Sequence, residues 1–170
     1  MKAMNYVNAS LLGLATGWLC PMHFAQAQVA PPLGQASTFA VLGGSTVTNT
    51  GATAVTGDVG TSPGTAITGF PPGVVTGGTL HSADALALGA QADVTAAYNA
   101  LAGQACNTDL TGTDLGGLTL TSAVYCFSSS AQLTGTLSLD AQGDTNAVFI
   151  FQIGSTLTTA SGANVVVING

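Results

Sequence analysis

Glutamate and arginine are absent from this chain of 170 residues, and Lys2 is its only lysine. All seven acids are aspartates, so 5% of the chain is charged and the formal net charge is −6. Phosphates are bound by basic side chains that displace counterions, which excludes nucleic acid as a partner and an anionic membrane surface with it. Aromatics are scarce too, at 6%, which disfavours a flat sugar polymer as ligand. Beyond residue 27, groups suited to catalysis other than the aspartates reduce to His81, Tyr98, Tyr125 and the cysteines. His81, Ser82 and Asp84 match the members of a hydrolase triad by type, but they crowd the start of one helical segment, which opposes triad geometry. The sequence therefore predicts no enzyme, no cofactor and no small-molecule substrate. Asp140 and Asp144 in "DAQGD" lack a third carboxylate nearby to complete a calcium loop, so no metal is expected there. Both read as turn formers, as does Asp58 in "TGDVG".

Hydrophobic residues make up 46% of the chain, enough for burial to meet the entropy of ordering, and the length fits one domain. Residues 1–27 read as a secretory signal: Lys2, then the apolar stretch "ASLLGLATGWLC" at 9–20, then "AQA" at 25–27 as a small-residue cleavage site. That stretch falls short of the roughly 20 apolar residues that span a bilayer. Removing the segment takes away Lys2 and Cys20 and leaves a domain over 28–170, expected outside the cell or on its surface. Cys106 and Cys126 remain. In an exported chain an even pair most simply forms a disulfide, worth about 3 kcal/mol for a loop of this size; a metal site is the alternative, with no histidine close by to support it.

Between Phe39 and Thr79 short β-branched runs are broken by glycine: "FAVLGGSTVTNTG", "ATAVTGDVG", "TAITGF", "VVTGGT". These predict short strands that must stack on one another to be stable, although no fixed repeat length emerges. Residues 82–102 change character. Ala83, Leu86, Ala90, Val94, Ala97 and Leu101 form one helical stripe, with Ser82 as N-cap, Asp84 favouring the helix dipole and Gly103 just past the end. Strands return from Leu110. In "LTGTLSLD" Leu133, Leu137 and Leu139 alternate with hydroxyl residues except at Gly135, and "AVFIFQI" is apolar on both sides and predicts an interior strand. The sequence reaches Gly170 straight after the apolar run "VVV", so an unpaired strand edge, and hence a partial domain, is expected.

Threonine, stiff at χ1, offers a methyl beside a hydroxyl. Strands about 4.8 Å apart, with same-face residues about 6.7 Å apart, would turn rows of threonine into an uncharged lattice suited to ordered water. The pattern Thr, Ala or Gly, any residue, Thr occurs four times, at Thr50–Thr53, Thr53–Thr56, Thr65–Thr68 and Thr76–Thr79, where composition predicts about one. Thr50, Thr53, Thr56, Thr65, Thr68, Thr76 and Thr79 are thus the candidate ice-binding residues. Residues three apart point to opposite sides of a regular strand, so each pair shares a face only where the chain bends.

The phrases "FAVLGGSTVTNTG", "GDVGTSPGTAITGFPPG", "AQADVTAAYNALAG", "DLTGTDLGGLTLTSAVYCFSSSAQLTGTLSLDAQGDTNAVFIFQIGSTLTT" and "VVVING" together resemble the microbial ice-binding proteins of the discontinuous β-solenoid type. The resemblance implies a mainly β fold: a right-handed β-helix of triangular cross-section with one long α-helix packed alongside. It further implies a secreted or surface location, no cofactor, ice as the partner, and a Cys106–Cys126 disulfide. Family domains usually continue past the "VVVING" phrase with further coils. An adhesive or structural surface module of the same fold, attached to cells or matrix, is the alternative function.

Overall fold

The computed structural model describes residues 28–170; the expected signal segment lies outside them. A short 3-10 turn, Gly34–Thr38, leads into seven strands: β1 (Phe39–Gly43), β2 (Thr46–Thr48), β3 (Ala54–Thr56), β4 (Asp58–Thr61), β5 (Ala66–Thr68), β6 (Val74–Thr76) and β7 (Leu80–Ser82). Helix α1 (Ala85–Ala102) follows. Eight more strands complete the described chain: β8 (Thr108–Asp109), β9 (Thr119–Thr121), β10 (Val124–Phe127), β11 (Ala131–Leu133), β12 (Thr136–Asp140), β13 (Ile150–Ile153), β14 (Leu157–Thr159) and β15 (Asn164–Ile168).

Every ladder is parallel, and each strand pairs with one a full coil away rather than with its neighbour in sequence. Before the helix the sheets run β1–β4–β7, β2–β5 and β3–β6; after it they run β8–β10–β13, β11–β14 and β9–β12–β15. Three-strand coils stacked in this way are a β-solenoid, because strands of three to five residues bury their apolar positions only against the coils above and below. Val47, Val55, Ile67 and Val75 each occupy the half-buried centre of an exposed–inward–exposed triplet. No strand is shared between the sheets before and after α1, so the solenoid is built as two stacks.

The coil length explains why the sequence shows no single period. In the first stack Thr46 pairs with Ala66 and Ala54 with Val74, each 20 residues on. In the second, Ala131 pairs with Leu157, 26 residues on, and Thr136 with Asn164, 28 on. The surplus lies at corners, above all the segment 141–149 that joins β12 to β13.

Helix α1 holds the two stacks together, packing on β4 and β7 near its start and on β13 near its end. Its buried positions are Ala87, Ala90 and Ala97; alanine has the highest helix propensity and lets the axis lie close to the strands. The predicted boundary and stripe need correction. Asp84, not Ser82, is the N-cap, its side chain accepting from the Ala87 amide at 2.9 Å. Ser82 belongs to β7, and Ala83 has φ +48°, outside helical space. Gly103 ends the helix with an ordinary αR conformation, and Val94 is exposed. At the far end Gln152 donates from Nε2 to the carbonyls of Leu101 and Gln104, at 2.9 and 2.8 Å, tying the chain that leaves the helix to β13.

The core lies mainly in the second stack, where Leu115, Tyr125, Phe127, Ala131, Leu133, Leu137 and Leu139 form one buried cluster. The alternation predicted for "LTGTLSLD" is divided: Leu133 ends β11, Leu137 and Leu139 lie on β12, and the irregularity at Gly135 is a solenoid corner. The strand predicted within "AVFIFQI" begins only at Ile150 and forms the last rung of its sheet, so Phe149, Phe151 and Ile153 are half-buried rather than interior. The final coil leaves Val165 50% and Val167 64% exposed, although they continue the inward columns of Leu137 and Leu139. Cys106 and Cys126 are joined as a disulfide that ties the chain leaving α1 to β10.

Candidate functional site

Helix α1 covers the β1–β4–β7 side of the first stack and leaves the β2–β5 and β3–β6 sheets free. On β2–β5 the outward positions are Thr46 and Thr48 beside Ala66 and Thr68; on β3–β6 they are Ala54 and Thr56 beside Val74 and Thr76. Both surfaces therefore consist of threonine, alanine and valine and carry no charge. Their hydroxyls line up across coils: Thr68 Oγ1 lies 3.5 Å from Thr48 Oγ1, and Thr56 Oγ1 3.3 Å from Thr76 Oγ1. β-branching restricts χ1, so each ladder repeats one geometry on the strand spacing.

The seven predicted threonines divide between strands and corners. Thr56, Thr68 and Thr76 stand on the free sheets. Thr50 and Thr53 lie in the corner between β2 and β3, where Thr53 Oγ1 donates to Asn49 Oδ1 at 2.6 Å and Asn49 Nδ2 donates to the Gly69 carbonyl of the next coil at 2.9 Å. Thr65 immediately precedes β5, its carbonyl accepting from the Ser82 hydroxyl at 2.7 Å. Thr79 precedes β7, its amide donating to Asp58 Oδ1 at 2.9 Å. The structure thus brings Thr56 to Thr76 and Thr68 to Thr48, across coils, and does not assemble all seven on one plane. Thr46 and Thr48 were missed. Their signal was the recurrence of the triplets "TVT" and "AIT", or "AVT" and "VVT", 20 residues apart, rather than the spacing of three within a triplet.

In the second stack Thr119 and Ser138 are outward neighbours on β9–β12–β15. The adjacent outward column there contains Asp140, so this side is not charge-free. Asp140 Oδ1 accepts from the Gln142 amide and from Asn169 Nδ2, each at 2.9 Å, and Asp144 Oδ1 from the Asn146 amide at 2.8 Å; both are turn formers. Among the described residues no group of three His, Cys, Asp or Glu could hold a metal ion, and no helix is long and apolar enough to cross a membrane.

His81, Ser82 and Asp84 form no triad, since the Ser82 hydroxyl donates to the Thr65 carbonyl, but His81 and Asp84 do meet. His81 Nδ1 is 2.7 Å from Asp84 Oδ2, and His81 Nε2 is 2.8 Å from Thr79 Oγ1 and 3.5 Å from Asp58 Oδ1. The left-handed residue Ala83 folds the chain back and makes the approach possible. Asp58, expected in a turn, instead opens β4 and bonds the next coil. Thr79 sits on an exposed turn, and its amide is committed to Asp58. The Asp84 hydrogen bond raises the His81 pKa above its ordinary value, with both carboxylates adding to the effect. The Thr79 amide, with Thr38 and His81, holds Asp58 low, and the Ala87 amide, with His81, holds Asp84 low.

Residues 41–170 match the protein family described as ice-binding-like. An ice-binding protein of Nostoc sp. (strain HG1) is 59% identical over 146 residues, 86% of this chain and 54% of that protein. Among solved structures, an ice-binding protein from an Antarctic biological consortium superposes with a TM-score of 0.79 at 48% identity, covering 86% of this chain and 66% of that one. One from the Antarctic ascomycete Antarctomyces psychrotrophicus gives 0.77 at 42% identity, covering 84% and 70%. The chain spans about half the length of the Nostoc relative.

Proposed function

Because the chain belongs to the ice-binding-like family, we propose that it adsorbs to ice through its free threonine sheets and so limits ice growth or recrystallisation. The observation that carries this reading is the charge-free pair of ladders, Thr48–Thr68 and Thr56–Thr76, on sides that the helix leaves open. Charged groups order water in shells unlike a crystal, whereas methyls set beside hydroxyls on a strand lattice leave ordered water undisturbed. The corner residues Thr50, Thr53, Thr65 and Thr79 border these sheets, and the hydrogen bonds of Thr53, Thr65 and Thr79 fix the coil geometry. We further read the chain as exported, with residues 1–27 as the signal; the Cys106–Cys126 disulfide fits an oxidising compartment.

The test compares recrystallisation inhibition and ice shaping by the parent with two double variants, Thr48→Lys with Thr68→Lys and Thr56→Lys with Thr76→Lys. These positions are exposed, so circular dichroism should not change. Loss of activity in one pair identifies that sheet as the contact. Full activity in both pairs would refute the proposal, and so would a folded parent without effect on ice.

A further inference from the structure

His81 is the only basic side chain in the chain beyond residue 27, and it stands where three elements meet. Asp58 reaches it from β4, Asp84 from the N-cap of α1, and Thr79 from the turn before β7. The Phe39 ring of β1 lies against it, with centroids 5.4 Å apart. Thr38, at the end of the 3-10 turn, is uncharged and donates from Oγ1 to the Gln35 carbonyl at 3.3 Å. Asp58 and Asp84 are therefore the titratable groups facing the ring.

Both carboxylates have a second task. Asp84 Oδ1 accepts from the Ala87 amide and caps α1, while Oδ2 holds His81. Asp58 Oδ1 accepts from the Thr79 amide and fixes the coil that enters β7. A neutral imidazole satisfies one carboxylate: Nδ1–H donates to Asp84, and Nε2 accepts from the Thr79 hydroxyl. An imidazolium is a donor at both nitrogens and sits as a positive charge between two negative ones.

We propose that the Asp58–His81–Asp84 cluster is a proton-operated clasp, in which the imidazolium of His81 binds the start of α1 to the end of the first coil stack and its deprotonation loosens that junction. The direction of the effect follows from linkage. A histidine whose folded pKa is raised contributes stability that is fully present below its unfolded value of 6.5 and is lost as pH rises through the folded value. At the same time two carboxylates are left facing a neutral ring. The first turn of α1 is what comes free, since its capping residue is part of the clasp.

The test follows the His81 ring by NMR from pH 5 to 9, with His81→Gln to assign the signal, and measures amide-exchange protection of Leu86 and Ala87 over the same range. The expected midpoint lies above 6.5, and protection of the first turn falls as pH rises through it. Asp84→Asn keeps a good N-cap but removes the charge, so the midpoint should move down. A parent midpoint at or below 6.5, protection independent of that titration, or no movement in Asp84→Asn would each overturn the clasp. If His81→Gln does not fold, the parent and Asp84→Asn still decide the matter.

Discussion

Replacing Thr61 by valine should make the protein more stable, against the usual trend for a core substitution. Thr61 lies on β4, between Gly43 of β1 and Ser82 of β7, with 0% of its surface exposed. Its carbonyl accepts from the Ala83 amide at 2.8 Å, but its hydroxyl has no hydrogen-bond partner among the described residues. Burying a hydroxyl without a partner costs about 1–3 kcal/mol. Valine has nearly the same shape and the same β-branching, and a buried methyl is worth up to about 0.8 kcal/mol. After allowance for imperfect fit, a gain of about 1–2 kcal/mol is expected. Urea unfolding should show a higher midpoint with an unchanged m-value, and Tm should rise by roughly 2–4 °C for each kcal/mol. Thr61→Ser, which keeps the hydroxyl and removes the methyl, should lose stability. A Thr61→Val protein less stable than its parent would refute the reasoning, because it would mean that the hydroxyl is satisfied and contributes.

Breaking the disulfide by Cys106→Ser with Cys126→Ser opens a loop of sequence separation 20 and should lower unfolding stability by about 3 kcal/mol, read by denaturant melts with and without reductant; no difference would mean that the unfolded chain is not constrained by this bond. Acid should destabilise the fold at its corners. Donors hold five carboxylates below the ordinary 3.8: the Thr79 amide at Asp58, the Ala87 amide at Asp84, the Thr111 hydroxyl at Asp109, the Thr134 hydroxyl at Asp114 and the Asn169 side chain at Asp140. A depressed carboxylate pKa contributes stability that is complete above the unfolded value and is lost as pH falls through the folded one. Melting followed by circular dichroism should thus show the acid limb below about pH 4, and an acid limb already under way at pH 5 would contradict the assignment.

Local chemistry was legible where one segment decides it. The alanine-rich run made α1 visible, and its C-terminal end at Ala102 was read correctly. The start was misplaced because capping depends on which oxygen reaches the third amide onward, and Asp84 does so while Ser82 is held in a ladder with β4. Turn roles for Asp140 and Asp144 were also legible, since such carboxylates bond amides two residues ahead. What could not be read was anything that depends on coil-to-coil registry. Thr48 finds Thr68 only after a full circuit, and a spacing of three within "TAIT" carries no information about that circuit. The His81 cluster was missed for a related reason: Asp58 arrives from the preceding coil, and a left-handed Ala83 brings Asp84 back to a ring that a straight chain would hold away.

The unequal coils have a consequence for how this architecture accepts change. Its ladders fix where each strand lies, but they do not count the residues between strands, as the passage from 20-residue to 28-residue circuits shows. Length is thereby uncoupled from registry: the path 141–149 adds residues while Ile150 still lands beside Val124. A gene can lengthen such a corner codon by codon without shifting any rung, and a protein engineer can seat a fluorophore or an affinity tag there. A single-residue insertion inside β11 or β12 would instead turn every later side chain in that strand inside out. The molecule is thus tolerant along its three seams and unforgiving on its three faces.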